Sequence, residues 1–185
     1  MRRTRPDAIC IATEPDFTQK PFLRTSDMKT FPKHRSHTLR TGRYSIPGTY
    51  YHIVIVTNKR RRILSDNKVA SIIFQTFDWM EGEKRLEWIC IRVMPDHVHA
   101  VIRLGEEQTL AKVLHSIKRY TAREINKQLS TAGVFWQKGY TDWGIRDDAA
   151  LNDTIRYCYA NPVRAGIVET PRDYPHWRCK FQMEY

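Results

Sequence analysis

From residue 47 onwards the chain alternates between two spacings of apolar residues, the two-residue period of strands and the 3.6-residue period of helices. Pro47-Gly48 marks a turn. Residues 50–57 are rich in β-branched and aromatic side chains and predict a strand. Ser65 or Asp66 can then cap a helix whose apolar residues recur at helical spacing. These residues are Val69, Ile72, Ile73, Phe77 and Met80.

Two further strands are predicted in the middle of the chain. Residues 86–94 are apolar on both faces, which is typical of a central strand. Pro95-Asp96 interrupts this run, and residues 97–104 predict the next strand. The short connection favours an antiparallel hairpin between the two strands.

Helical spacing returns in residues 106–129, where one stripe is apolar and the outer surface is basic. Residues 134–147 are aromatic and basic without a clean period and have room for one short strand. A last helix is predicted from about residue 148 to 160. It should end before Asn161-Pro162, because the position before a proline disfavours helical geometry. The apolar stripe of the earlier helix consists of Leu110, Val113, Leu114, Ile117 and Ile125.

This order of elements predicts an α+β fold, an antiparallel sheet with helices packed mainly on one face. Residues 41–185 are expected to form a single domain. Residues 1–40 have no clear period and mix charged residues with prolines, which predicts a flexible basic tail. The prolines are Pro6, Pro15, Pro21 and Pro32.

The charge balance narrows the class of partner. Lys and Arg total 31 against 20 Asp and Glu, a formal net charge of +11. This excess favours a polyanion such as nucleic acid over a merely solvated basic surface. The four cysteines form no CxxC pair, so reduced thiols in the cytoplasm are the simpler interpretation. No apolar run approaches the roughly 18 residues of a membrane span, and a cytoplasmic protein without membrane association is expected.

The predicted strand at residues 97–104 carries two histidines on one face. Strand alternation places His97, His99, Val101 and Arg103 together, while the alternate apolar residues face the helices. The two imidazoles are then close enough to bind one metal ion, with Asp96 offering an oxygen ligand or a hydrogen bond to a ring. Half-exposed strand histidines without a metal are the alternative interpretation.

The last predicted helix offers a third ligand. Leu151, Ile155 and Cys158 share its apolar stripe, whereas Tyr157 and Asn161 lie one turn apart on a different face. Asn161 would give an amide oxygen to the metal, and the phenolate of Tyr157 would be a nucleophile. The alternatives are an amphipathic surface or core tyrosine and an asparagine that caps the helix before proline.

The segments "MPDHVHAVIRL", "IKRYTAREIN", "FWQKGY", "IRDDAAL" and "RYCYANPVRAGIV" occur in this order. Together they resemble the REP-associated tyrosine transposases, relatives of the single-tyrosine HUH transposases, over roughly residues 40–175. The resemblance implies a ferredoxin-like α+β domain, the HUH nuclease fold, with Mg²⁺ or Mn²⁺ at the active site. It also implies cleavage and joining of single-stranded DNA beside hairpins formed by repetitive extragenic palindromes.

By this resemblance His97 and His99 are the metal-binding pair, Tyr157 is the nucleophile and Asn161 is the third metal ligand. The tyrosine would form a 5′-phosphotyrosine bond and release a 3′-OH. One departure is Trp143, which stands where many members of the family have a histidine. Toward the C-terminus "YPHWRCKF" replaces the family's frequent "YPWSS".

Hairpin DNA is expected to lie against basic surface. "FWQKGY" mixes aromatic rings with a lysine, a mix suited to stacking on unpaired bases, although core packing of its tryptophan is an equal alternative. Positive charge from Arg156 or Arg146 could assist the tyrosine. The predicted DNA-binding residues are Lys112, Lys118, Arg119, Arg123, Trp136, Lys138 and Arg146.

Two other functions compete with a transposase. One is a module that has lost catalytic activity and binds hairpin DNA or RNA without cutting it. The other is a structural zinc domain in which His97 and His99 join Cys158 or Cys90, although this spacing matches no usual zinc pattern. A monomer and a homodimer are both compatible with the sequence.

Overall fold

The computed structural model describes residues 45–181, and the tail predicted at residues 1–40 lies outside this range. Within it the chain forms one five-stranded antiparallel sheet in the order β4-β1-β3-β2-β5, with three α-helices. The α+β prediction is confirmed. The strands are β1 (Tyr50–Val56), β2 (Leu86–Val93), β3 (His97–Leu104), β4 (Thr141–Ile145) and β5 (Trp177–Cys179), and the helices are α1 (Asn67–Gly82), α2 (Leu110–Gln128) and α3 (Asp148–Arg164).

The helices begin where the sequence provides caps. The Asp66 carboxylate accepts hydrogen bonds from the backbone N–H groups of Lys68 and Val69 at 2.8 and 3.1 Å, which fixes the start of α1. Thr109 caps α2 and Asp147 caps α3 in the same way. Among the described residues, no helix is both long and apolar enough to cross a membrane.

The sheet is covered on both faces. Alternate residues of β3, Val98 to Leu104, face α1 and α2 and join the larger core. The opposite face packs against α3 through a smaller apolar cluster that contains Val101, Ile155 and Cys158. Two helices therefore share one face, and the third covers the face that carries the histidines.

The sequence of residues 86–94 had suggested that β2 is the central strand. In the structure β3 is central, and β2 lies next to it. β2 is flanked by β3 and by the short edge strand β5, which was not predicted. Because β2 is an interior strand with helices on both faces, its side chains are buried on both faces, and that is the pattern that the sequence shows.

The predicted end of α3 before Asn161 is wrong, because the helix continues through Pro162 to Arg164. Pro162 has no N–H, so the carbonyl of Cys158 loses its usual helical donor. Arg92 replaces that donor: its Nε donates to the Cys158 carbonyl at 3.3 Å, and its Nη2 donates to the Tyr159 carbonyl at 2.9 Å. A buried arginine from β2 thus allows the helix to pass the proline.

Candidate active site

Three strands bring aromatic side chains to the face of the sheet under α3. In the pairing of β1 with β3, His52 lies opposite Val101, and two residues further Val54 lies opposite His99. Directly opposed residues share a face, so His52 stands beside the histidine pair. Trp143 of β4 is the partner of His52 on the other side, and the two rings stack with centroids 5.1 Å apart.

The histidines are linked by short contacts between ring nitrogens. His97 Nε2 and His99 Nε2 are 3.0 Å apart, and His99 Nδ1 is 3.0 Å from His52 Nε2. His97 Nδ1 lies 2.6 Å from a carboxylate oxygen of Asp96. Because a carboxylate only accepts, His97 Nδ1 is the donor, and its Nε2 is directed at His99.

Electrostatics hold His99 in its neutral form. Burial lowers the pKa of His99 to about 2, and the charges of His97, His52 and Arg92 act in the same direction. A neutral imidazole keeps one ring nitrogen with a free lone pair, which a metal ion requires. Burial raises the pKa of the Asp96 carboxyl, but the hydrogen bonds and charges of His97 and Arg60 outweigh it, and the net shift is downward.

Tyr157 reaches the histidines from α3. Its ring centroid is 5.8 Å from that of His99 and 6.0 Å from that of His52. The side chain is 40% exposed, so it is accessible from solution. The guanidinium carbon of Arg164 lies 5.0 Å from the centre of the Tyr157 ring, which places a positive charge beside the phenol.

Asn161 lies one turn beyond Tyr157 and is buried. Its side chain makes no hydrogen bond to His97 or His99 within residues 45–181, and its carbonyl accepts from the Ala165 N–H at 2.9 Å. The structure therefore brings His97, His99 and Tyr157 together, whereas Asn161 is on the adjacent turn of the helix. It is an interior residue of α3 rather than a cap before proline.

Tyr159, the second tyrosine of "RYCYANP", points elsewhere. It is buried, and its ring packs edge-on against Trp177 with centroids 5.3 Å apart. The guanidinium of Arg92 lies 5.3 Å from the Tyr159 ring centre. Tyr159 is thus part of the packing that anchors α3 to the sheet.

Two further side chains lie beside His99: His52, which was not predicted there, and Cys158, which the sequence placed there only in the zinc alternative. Cys158 Sγ lies 3.6 Å from His52 Nε2, and the ligand atoms of His52, His99 and Cys158 all lie within 4.8 Å of one another. A hydrogen bond from Cys90 lowers the pKa of Cys158; burial opposes this effect and His52 adds to it. Alternation within residues 50–56 could have assigned His52 to one face, but only the register of β1 against β3 identifies which face.

The predicted DNA-binding residues of α2 lie across the sheet from the histidines, because α2 packs on the opposite face. Lys118 is partly buried and donates to the carbonyls of Gln137 and Gly139 at 2.6 and 2.5 Å, and burial lowers its pKa. Trp136 is in the core, where its Nε1 donates to the Thr121 hydroxyl at 2.9 Å. The predicted residues whose side chains are exposed are Lys112, Arg119, Arg123, Lys138 and Arg146.

This fold, with a histidine pair on a strand facing a tyrosine on a helix, defines an enzyme of the HUH tyrosine transposase class. The sequence profile of IS200-like transposases matches residues 45–160, and the chain belongs to this family. Asn161 is the first residue beyond the matched range.

Relatives and solved structures agree with this assignment. A Haemophilus influenzae protein classed as a REP-associated tyrosine transposase is 27% identical over 141 residues, 70% of this chain and 78% of that one. The REP-associated tyrosine transposase of Escherichia coli K12 is 27% identical over 137 residues, 72% of this chain and 78% of that one. The resemblance found in the motifs is confirmed.

A solved structure of a REP-associated tyrosine transposase bound to a REP hairpin is also similar to this chain. The TM-score is 0.63 at 21% sequence identity, and the match covers 73% of this chain and 79% of that chain. This similarity shows that the two proteins share a fold.

Proposed function

We propose that this transposase is a metal-dependent single-stranded DNA endonuclease and strand transferase that acts at hairpins of repetitive extragenic palindromes. One observation carries the proposal: the Nε2 atoms of His97 and His99 converge to 3.0 Å beside the exposed ring of Tyr157. The similarity to a transposase bound to a REP hairpin supports the choice of substrate.

The donor set fits a divalent ion such as Mg²⁺ or Mn²⁺. Asp96 accepts a hydrogen bond from His97 Nδ1, and His52 Nε2 is placed to accept one from His99 Nδ1. Both Nε2 atoms are then free to bind the ion, and the amide of Asn161 would complete the protein ligands. When bound, the ion neutralises charge on the scissile phosphate and makes its phosphorus more electrophilic.

In this arrangement His52 is a positioning residue. By accepting a hydrogen bond from His99 Nδ1–H it fixes the tautomer that exposes the Nε2 lone pair, the role that outer-shell acceptors commonly have at metal-bound histidines. Stacking against Trp143 holds the His52 ring in place. Burial keeps His99 neutral, so protons do not compete for it.

Tyr157 is the nucleophile of the proposed reaction. Its oxygen bonds to phosphorus and gives up its proton to water, and the bond from phosphorus to the 3′-oxygen breaks. The leaving oxygen takes up a proton, so the products are a 5′-phosphotyrosine and a 3′-OH. The guanidinium of Arg164, 5.0 Å from the centre of the Tyr157 ring, offers positive charge to the phosphate that the tyrosine attacks. The energy of the phosphodiester is retained, so a 3′-OH can later reverse the reaction and join strands.

The hairpin is proposed to contact the exposed cations of α2 and of the segment before α3. Arg119, Arg123, Lys138 and Arg146 offer charges to phosphates. Because α2 is on the face opposite the histidines, a hairpin on α2 would pass its single-stranded flank around an edge of the sheet. Lys118 and Trp136 would act indirectly, by holding the segment that carries Lys138.

A gel assay for covalent adducts tests the proposal. The full chain is incubated with a hairpin-flanked oligonucleotide and Mn²⁺, and the wild type is expected to form an adduct that resists denaturation. Tyr157→Phe should abolish it, while Tyr159→Phe, matched in chemistry and two residues away, should retain it if its thermal unfolding is unchanged. Hairpin binding without an adduct under Mg²⁺ or Mn²⁺ would favour a binding module that does not cut DNA.

A further inference from the structure

The site contains a second group of possible metal ligands, called the inner site, which shares only His99 with the ligands of the proposed reaction. His52, His99 and Cys158 come from β1, β3 and α3, and all three are buried. We propose that they form a second metal site for a soft divalent ion such as Zn²⁺. We further infer that its occupation prevents His97 and His99 from holding the ion of the proposed reaction; this second part rests on the proposed function.

The spacing of the ligand atoms fits tetrahedral zinc. With bonds of about 2.0–2.1 Å to nitrogen and about 2.3 Å to sulfur, tetrahedral angles place two nitrogens about 3.3 Å apart and a nitrogen and a sulfur about 3.5 Å apart. His52 Nε2 and His99 Nδ1 are 3.0 Å apart, and His52 Nε2 and Cys158 Sγ are 3.6 Å apart. The ligand atoms of the third pair, His99 and Cys158, lie within 4.8 Å of each other, so closing this pair to tetrahedral spacing needs a movement of at most about 1.3 Å.

The chemistry of the ligands selects the ion. Two imidazoles and a thiolate suit Zn²⁺, whereas Mg²⁺ prefers oxygen ligands. Burial raises the pKa of the Cys90 thiol, which stays protonated and hydrogen-bonds to Cys158, so a water molecule would take the fourth position. The site differs from the zinc site considered from the sequence, because His52 takes the place of His97.

His99 belongs to both sites, so the two sites cannot hold metal ions at the same time. In the proposed reaction its Nδ1 carries the proton and its Nε2 binds the ion. An ion at the inner site takes the Nδ1 lone pair, so the proton of the neutral ring moves to Nε2 and blocks it. One imidazole therefore serves one ion at a time, and Zn²⁺ should act as an inhibitor that competes through the tautomer of His99.

Cobalt spectroscopy tests the inner site independently of catalysis. Metal-free full-length protein is titrated with Co²⁺, and the expected result is a thiolate-to-cobalt charge-transfer band that saturates at one ion per chain and disappears on addition of Zn²⁺. Cys158→Ser should lose the band, and Cys179→Ser is the matched control that should keep it. His52→Gln should weaken Co²⁺ binding by more than about 100-fold, since even outer-shell partners contribute about 10- to 100-fold.

The outcomes separate the two claims. Absence of the band in the wild type, or its persistence in folded Cys158→Ser, would overturn the inner site, and His52→Gln decides the matter if the serine variant does not fold. Zn²⁺ should also reduce Mn²⁺-dependent adduct formation in the wild type, and Cys158→Ser should resist this relative to its own zinc-free rate. Cobalt binding without zinc inhibition would overturn exclusion alone. A wild type without adduct would refute the proposed function and leave the cobalt result to decide the site.

Discussion

Arg92 is expected to anchor the helix that carries Tyr157, and Arg92→Met measures how strongly. The guanidinium is fully buried and donates to the carbonyls of Cys158, Tyr159 and Tyr174. Hydrogen bonds from a charged donor contribute about 1.5–3 kcal/mol each, so three contribute roughly 4.5–9 kcal/mol. They are offset by the cost of burying the charge.

The cost of burying the charge follows from the pKa of Arg92. Burial lowers this pKa from its ordinary value to about 10, which corresponds to about 3 kcal/mol against the charged form. Taken with the hydrogen bonds, the net loss in Arg92→Met should be about 1.5–6 kcal/mol in the free energy of unfolding, with a middle value of about 4 kcal/mol. Urea denaturation followed by tryptophan fluorescence measures it.

The matched control is Arg178→Met. Arg178 also lies over an aromatic ring, that of Trp88, and pairs with Asp78 at 2.7 Å, but its partner is exposed. Exposed ion pairs contribute at most about 1 kcal/mol, so this variant should lose less stability than Arg92→Met. A loss below about 1 kcal/mol for Arg92→Met, or equal losses for the two variants, would refute the reasoning.

A double-mutant cycle tests why Arg92 is needed. Pro162→Ala returns an N–H to the helix, so the Cys158 carbonyl regains its donor without Arg92. Arg92→Met should therefore cost about 1 kcal/mol less in the Pro162→Ala background than in the wild type. Equal costs in both backgrounds would show that Arg92 does not replace the donor that Pro162 lacks.

Three further predictions concern the site and its partners. In metal-free protein the unfolded chain protonates His99 below its ordinary pKa of about 6.5 while the folded state does not, so stability falls as pH falls. Between pH 7.5 and 5.0 the free energy of unfolding should fall by about 2 kcal/mol because of His99. Urea titrations of folded His99→Gln should show a loss smaller by this amount. The same pH dependence in wild type and variant would contradict a neutral His99 in the folded protein. Asp96→Asn should weaken Mn²⁺ binding by about 10- to 100-fold in calorimetry, because it weakens the acceptor of His97; equal affinity would show that Asp96 does not orient the ring. Arg119→Ala with Arg123→Ala should reduce the slope of log K against log salt for hairpin binding by roughly 1.5–2, whereas Lys68→Ala, at the exposed start of α1, should not change it; equal slopes would place the hairpin elsewhere.

Local periodicity was sufficient to predict β1, β2, β3 and the three helices, although not where α3 ends. Residues 97–104 alternate cleanly, so the sequence predicted that His97 and His99 share a face, opposite to the residues that pack against α1 and α2. The stripe of α2 was likewise readable, since all of its apolar members are buried. These predictions depend only on residues close together in the chain, and the chain geometry of strands and helices determines them.

The features that the sequence did not reveal depend on distant partners. α3 passes Pro162 because Arg92, some 66 residues away from Cys158, supplies the missing donor. Trp136 is held in the core by the hydroxyl of Thr121 on α2. His52 joins the site through the register of β1 against β3, which no local pattern specifies.

The most direct test of the central claim is to locate the covalent bond. The adduct formed by the full chain with a hairpin-flanked oligonucleotide and Mn²⁺ is digested with protease and nuclease, and mass spectrometry identifies the modified residue. A 5′-phosphonucleotide on Tyr157, lost in His97→Gln and His99→Gln, is the predicted result. A nucleotide on Tyr159 or on any other residue, or an adduct that persists without the histidine pair, would contradict it.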